Sequence, residues 1–332
     1  MDALADLLHG TSARGAVFGR SVLDPPWSLR FVGGAPLTLM TMLSGTAWVL
    51  PDGVGPVRVE PGDLVVVTGS APHTVADTPT TAPDIDVHGP DRCVTAGGVD
   101  VTGDIRLDLR TCGERYEGSA TLLTGMYRGG GEVGDRLLRA LPPVLRVPAE
   151  DRHRPMLDLV AAEVARAEPG QQVVIDRMLD LLLVHTLRAW FARPEARAPG
   201  WYRALGDPVV GEVLRLMHDD PARPWTVRAL AEKAGVSRSA LGHRFTTLVG
   251  EPPMAYLAGW RVALASDLLR TTDATVASVA RQVGYADAFA LSTAFKRIRG
   301  IRPTDYRRAA PPDTAAQQNH AEADPGLPAA PS

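Results

Sequence analysis

The hydrophobic pattern changes character along the chain. From about Val17 to Val75 the apolar residues fall in short runs broken by Gly and Pro. The runs are Trp27–Val32, Leu37–Leu43, Ala47–Leu50, Val57–Val59 and Leu64–Val67. Runs this short, this closely spaced and separated by turn residues predict the strands of a sandwich or barrel. Residues 77–118 are rich in Thr, Pro, Gly and Asp and predict a long excursion, partly loop. Ala120–Tyr127 predicts one more strand.

Helical spacing takes over after that. A short helix is expected at Asp2–His9, then helices at Val133–Leu141, Pro155–Ala167 and Val173–Ala192. The last is apolar on most of its circumference from Met178 to Trp190, a pattern that calls for burial on two sides: the body of the domain and a second copy of the chain. His185 within it reads as a core or interface residue. Arg193–Gly200, with two prolines and two alanines, is the best linker. From Trp201 to about Arg308 the pattern is helix in short pieces, and the Ala- and Pro-rich stretch from Pro311 lacks periodic apolar residues and is expected to be disordered.

Within this helical block one segment occurs twice. Thr226-Val-Arg-Ala-Leu-Ala-Glu-Lys-Ala-Gly-Val-Ser is matched by Thr275-Val-Ala-Ser-Val-Ala-Arg-Gln-Val-Gly-Tyr. Val227/Val276, Leu230/Val279, Ala231/Ala280, Gly235/Gly284, Leu241/Leu291 and Phe245/Phe295 correspond. Each copy has the parts of a helix-turn-helix. A threonine caps the first helix. A small alanine permits close crossing, and a glycine takes the left-handed backbone that ends the helix. Ser237 or Asp287 caps the second helix, whose inner face carries Leu241 with Phe245, or Leu291 with Phe295. The outer face is left for a DNA groove. One such pattern is weak evidence; two copies joined by the apolar segment Pro253–Arg270 are strong. Sixteen helical residues span about 24 Å, which makes two reading helices about 34 Å apart, one turn of duplex, feasible.

Charge sharpens this division. The formal net charge is −3, from 35 basic and 38 acidic residues. Residues 201–310 carry +6, residues 1–200 carry −6 and the tail 311–332 carries −3. The balance excludes a globally basic nucleic-acid coat protein, yet a basic block remains where the duplicated motif lies. Lys233 and Lys296 are the two lysines and both fall in that block; every other basic residue is arginine.

Residues 207–308 resemble the DNA-binding domain of the AraC-type (arabinose-regulator) transcription factors. The matching stretches are Leu230-Ala-Glu-Lys-Ala-Gly-Val-Ser, Gly250-Glu-Pro-Pro-Met-Ala-Tyr-Leu, Trp260-Arg-Val-Ala-Leu-Ala, Val276-Ala-Ser-Val-Ala-Arg-Gln-Val-Gly-Tyr and Phe295-Lys-Arg-Ile-Arg-Gly-Ile-Arg-Pro-Thr-Asp-Tyr-Arg. The resemblance implies DNA contacts from Arg238, Ser239, His243 and Arg244 in the first module. In the second it implies them from Ser292, Thr293, Lys296 and Arg297, with Arg299 beside them. Arginine reads guanine or holds a phosphate. The second module departs from the family at Thr293, a position often arginine, and is surrounded by Ala288, Phe289, Ala290 and Ala294. Phe289 or an alanine there suits a thymine methyl. Base specificity is therefore expected mainly from the first module.

The N-terminal half resembles the cupin-like sensor domains of this family. Glu60-Pro-Gly-Asp-Leu-Val-Val-Val-Thr-Gly-Ser-Ala-Pro-His73 and Leu137-Leu-Arg-Ala-Leu-Pro-Pro-Val-Leu145 carry the likeness. It implies an effector pocket, with His73 and Trp48 as candidates. No metal or other cofactor is expected: Leu37-Thr-Leu-Met-Thr-Met-Leu-Ser-Gly-Thr-Ala-Trp lacks the His-x-His pair and glutamate of metal-dependent cupins. Asp84, Asp86, His88, Asp91, Cys93, Cys112 and Glu114 offer mixed ligands in the excursion, and Cys93 with Cys112 suit a redox switch. Thr124 stands where many relatives have cysteine.

The expected architecture is α+β and multidomain. Residues 1–192 form a cupin-like β-barrel with a helical dimerisation part at about 133–192. Residues 193–206 form a linker, 207–308 an all-α double helix-turn-helix domain and 309–332 a disordered tail. The expected function is a cytoplasmic, dimeric transcription regulator, more often an activator in this family. Its expected partners are an operator duplex, RNA polymerase and a small-molecule effector; no membrane is involved. Two alternatives stay open: a metal-dependent cupin enzyme with a DNA-binding appendage, and a cysteine-based redox regulator. The N-terminus lacks a signal-peptide pattern, and no apolar run approaches the roughly 20 residues that span a bilayer.

Overall fold

A computed structural model describes residues 4, 6, 17–89, 92–127, 131–150, 153–166, 168–193, 196 and 198–309. The chain folds as two compact units. One comprises residues 1–220 with 225–253, the other residues 221–224 with 254–332.

The first unit opens with twelve strands: β1 (Val17–Leu23), β2 (Ser28–Phe31), β3 (Leu37–Ser44), β4 (Ala47–Pro51), β5 (Val57–Val59), β6 (Leu64–Thr68), β7 (His73–Ala76), β8 (Ile85–Gly89), β9 (Arg92–Thr95), β10 (Thr111–Gly113), β11 (Ala120–Tyr127) and β12 (Val144–Val147). They form two six-stranded sheets, in orders β10-β1-β11-β3-β6-β12 and β5-β4-β7-β2-β8-β9. Alternate residues of the two sheets meet in one core, which includes Trp27, Leu29, Phe31, Met40, Met42, Val49, Val65, Val75 and Leu122. The short apolar runs predicted a sandwich or barrel, and two facing sheets are what they form.

Five of the strands predicted by apolar runs lie within two residues of their expected ends, and Ala120–Tyr127 is β11 as read. The excursion 77–118 is more ordered than its composition suggested. It contains β8, β9, β10 and the short helix α1 (Thr102–Ile105). These strands are short, two lie at sheet edges, and their residues are mostly half-exposed, so they carry little apolar alternation to detect.

The turn at Pro61-Gly62-Asp63 is held by a buried carboxylate. Asp63 accepts from Arg146 Nε at 2.6 Å and from the backbone N–H of Glu60 and Ala149 at 2.8 Å each. The ring of Tyr127 is buried and its hydroxyl donates to the Leu179 carbonyl at 2.7 Å, which ties the sandwich to its helical layer. That layer comprises α2 (Gly131–Leu138), α3 (Arg154–Val164) and α4 (Gln171–Phe191). Ile175, Leu179, Leu182, Leu183 and Leu187 of α4 are buried, whereas Val173, Val174 and Leu181 are exposed.

The stretch expected to be a plain linker holds the helix α5 (Gly200–Ala204). A side chain at Gly200 would meet the carbonyls of Leu248 and Val249 within 2.7 Å, so the glycine permits a close approach. Next come α6 (Val210–Asp219), α7 (Val227–Lys233) and α8 (Arg238–Val249). The second unit consists of most of α9 (Pro253–Thr271), with α10 (Val276–Gln282), α11 (Ala288–Arg299) and α12 (Pro303–Ala309). Its core joins Val262, Ala265 and Leu269 of α9 to Val279, Ala280, Val283, Leu291 and Phe295. Of the helix expected at Asp2–His9, Leu4 and Asp6 are helical; its other positions and the expected disordered tail from residue 310 onward lie outside the described residues.

Candidate functional site

Helices α7 and α8 form one helix-turn-helix, α10 and α11 the other. All four helix starts are capped by the residues their sequence suggested. Thr226 Oγ1 accepts from Ala229 N–H at 3.1 Å and Ser237 Oγ from Ala240 N–H at 3.2 Å. Thr275 Oγ1 accepts from Ser278 N–H at 3.2 Å and Asp287 Oδ1 from Ala290 N–H at 2.8 Å. Gly235 and Gly284 take left-handed backbones, with φ of +69° and +89°. Leu241, Phe245, Leu291 and Phe295 are fully buried, so the anchors of each reading helix face inward.

The opposite face of α8 presents Arg238, Ser239, His243 and Arg244, all exposed. Arg238 and His243 make no hydrogen bond or ion pair with another described side chain. Ser239 Oγ lies 3.2 Å from the capping Ser237 Oγ. The Arg244 guanidinium, though exposed, also makes a salt bridge with Asp207 at 2.7 Å. Asp207 also accepts from the backbone N–H of Val209 and Val210, at the start of α6.

Helix α11 presents Thr293, Lys296 and Arg297 as exposed residues, while Ser292 is half-buried. Thr293 Oγ1 donates to the Phe289 carbonyl at 3.0 Å. Phe289 is 82% exposed, the most exposed of the large apolar side chains described. An aromatic ring left in solvent in the first turn of the helix is costly unless it meets a partner. Its position in the sequence already sets it apart: two residues before Leu291 and six before Phe295, it is out of step with the inward face of the helix. Two other arginines of this unit serve the fold. Arg261 donates to the carbonyls of Pro221 and Arg223, both at 2.7 Å, and Arg307 to those of Leu269 and Ala274.

In the first unit a cavity of about 220 Å³ opens between the two sheets. Its walls come from β1, β2, β8, β9, β10, β11 and the loop at 105–115. Leu23, Ile85 and Val87 line it and also pack on the core of the sandwich. His73 and Trp48, the sequence-based pocket candidates, do not line this cavity. His73 is buried, stacked on Phe31 with ring centroids 5.2 Å apart, and Phe31 in turn forms part of the cavity wall. Burial pushes the His73 pKa down to about 4, with the Ala71 backbone and the Asp52 charge opposing it, so the ring is neutral at neutral pH.

Cys93 and Cys112 both line the cavity as free thiols. Burial raises both thiol pKa values, Cys93 to about 11, against a smaller opposing pull from the Arg106 charge. Protonated thiols are poor nucleophiles and poor metal ligands. Among the described residues no group of three or more His, Cys, Asp or Glu side chains is arranged to hold a metal ion; Asp91 lies outside them. No helix among the described residues is long and apolar enough to cross a membrane.

Comparison with known proteins agrees with this architecture. A cupin family model matches residues 2–192, and a helix-turn-helix domain model matches residues 230–309. A Streptomyces lividans protein described as an AraC-like transcription regulator is 34% identical over 93% of this chain and 98% of its own length. The HTH-type transcriptional regulator AlkR of Acinetobacter baylyi is 26% identical over 93% of this chain and 99% of its own. The crystallised DNA-binding domain of AdpA, a global transcriptional factor in complex with a target DNA, is 31% identical and covers 35% of this chain and 99% of its own, with a TM-score of 0.30. With the cupin match spanning more than half of the residues and a 34% identical relative matching along nearly all of them, the chain belongs to the AraC-type family of DNA-binding transcription regulators.

Proposed function

We propose that this regulator is a one-component switch, in which a small molecule bound by the cupin half alters the affinity of the two helix-turn-helix modules for an operator duplex. The observation that carries the reading is the pairing of two capped modules, each with anchors buried and polar side chains outward, with a cavity in the same chain. In this account Arg238, Ser239 and His243 read base edges, and Lys296 and Arg297 hold phosphates. Ser292, Thr293 and Phe289 add a weaker, partly apolar readout.

A second copy of the chain docks on α4 in this reading. Val173, Val174 and Leu181 support it, being exposed at 64%, 40% and 49% on a helix whose other side is core. RNA polymerase is the further protein partner, and the cytoplasm the compartment. A cysteine-based redox input is the second reading, supported by two free thiols lining one cavity and opposed by their protonation.

The test is selection of random duplexes by the full-length protein, followed by sequencing and by measurement of affinity against salt. Enrichment of one motif is expected, with discrimination at one base position lost in His243→Ala. Each phosphate contact removed by Lys296→Ala or Arg297→Ala should lower the salt slope by about one. Retention without enrichment contradicts the assignment of base-reading residues.

A further inference from the structure

We infer that Gly242 forms a notch in the first reading helix that receives the C5-methyl group of a thymine. The inference rests on the reading that α8 lies in the major groove of an operator, and names one base feature that the helix recognises there.

Gly242 is the fifth of the twelve residues of α8, inside a helix, where glycine is the poorest choice after proline. Two structural needs would account for a glycine, and Gly242 has neither. Its backbone is not left-handed, unlike that of Gly235. A Cβ built on it would meet nothing within 4 Å, unlike one on Gly200, which the carbonyls of Leu248 and Val249 would block. An alanine would therefore fit and would strengthen the helix. The missing side chain instead suits a close approach to the helix backbone by another molecule.

The surroundings identify what approaches. Ser239 lies one turn before Gly242 and Thr246 one turn after, on the same side of the helix, and both are exposed. The floor of the gap between them has no free hydrogen-bonding group. The N–H and carbonyl of Gly242 belong to the helix ladder. Its carbonyl also accepts from Thr246 Oγ1 at 2.8 Å, which uses the one proton of that hydroxyl. A phosphate oxygen would find no donor on such a floor. What fits it is an apolar bump recognised by shape, and on the major-groove edges of base pairs that bump is the thymine methyl. The notch belongs to the first module: the matching position of α11 is Ser292, which carries a side chain.

The test compares full-length Gly242→Ala with the wild type on the duplex that the wild type selects from a random pool. The variant should melt about 2–4 °C higher. It should bind that duplex about tenfold more weakly, the effect of one ill-fitting base pair. Each thymine of the duplex is then replaced singly by uracil, which lacks only the methyl. One such replacement should weaken binding by the wild type and restore most of the affinity lost in Gly242→Ala. Unchanged affinity in the variant, a lower melting temperature, or the lack of any uracil position that rescues it overturns the notch. His243→Ala, measured on the same duplexes, separates this inference from the reading on which it rests. If His243→Ala loses discrimination while Gly242→Ala binds as the wild type does, the groove reading stands and the notch falls. If neither variant changes, or if the wild type selects no duplex, both fall.

Discussion

The Arg244 guanidinium donates to a single oxygen of Asp207 from both Nε, at 2.9 Å, and Nη2, at 2.7 Å. The other oxygen of Asp207 accepts from the N–H groups that open α6. One carboxylate thus joins the reading helix α8 to the start of its neighbour. The two substitutions that break this link are not equivalent. Arg244 is half-exposed, so Arg244→Ala should cost no more than about 1 kcal/mol. Asp207→Ala also removes a helix cap, worth about 1 kcal/mol more. Urea unfolding of both variants should rank Asp207→Ala as the more destabilised.

The two turn glycines make a second graded pair. Both have positive φ, so an alanine at either is strained by about 1 kcal/mol. A Cβ at Gly235 would meet open space, whereas one at Gly284 would lie 2.6 Å from the Ala222 carbonyl and 2.8 Å from Arg261 Nη2. Arg261 is held on the carbonyls of Pro221 and Arg223 and has little room to yield. Gly284→Ala should therefore lower the melting temperature clearly more than Gly235→Ala. Equal losses would show that backbone strain alone matters at both turns.

His73 makes stability depend on pH. Its folded pKa of about 4 lies below the unfolded value near 6.5. Above pH 6.5 the ring is neutral in both states and the folded protein is unaffected. As pH falls from 6.5 towards 4 the unfolded chain binds the proton first, and stability drops, by about 3 kcal/mol at most. His73→Phe keeps a ring against Phe31 and should flatten that part of the profile. The check is the difference between wild-type and variant unfolding free energies across pH 7 to 4.5, which isolates His73 from the other titrating groups.

Burial of the two thiols gives a chemical prediction. Native protein at pH 8 should react with iodoacetamide at Cys93 far more slowly than the unfolded chain does, because the thiolate fraction is small at a pKa of about 11. Mass spectrometry of the alkylated peptides reads this directly. Rapid native-state labelling would favour the redox reading.

The parts of the fold that were legible in the sequence share a cause. Leu37–Ser44 and Ala120–Tyr127 are almost wholly buried strands, so their apolar runs are continuous and unmistakable. The helix caps at Thr226, Ser237, Thr275 and Asp287 are local, depending on atoms three residues away. What escaped was non-local. The cavity is assembled from strands far apart in sequence, such as β1, β8 and β10, and no single run announces it. His73 is a chemically able side chain by type, but it packs on Phe31 with its ring nitrogens buried. The partner of Arg244 lies 37 residues upstream, and helix spacing gives no hint of it.

The claim at the centre of this account is that both helix-turn-helix modules contact one duplex, the first reading bases and the second adding backbone and apolar contacts. It is tested most directly by measuring the affinity of the full-length protein for its selected operator in three forms: wild type, His243→Ala and Phe289→Ala. The account predicts that His243→Ala loses discrimination at one base position, at a cost of about 1–3 kcal/mol. It predicts that Phe289→Ala weakens binding mainly where the operator carries thymine in the half-site of the second module. Unchanged affinity and sequence preference in both variants would contradict it.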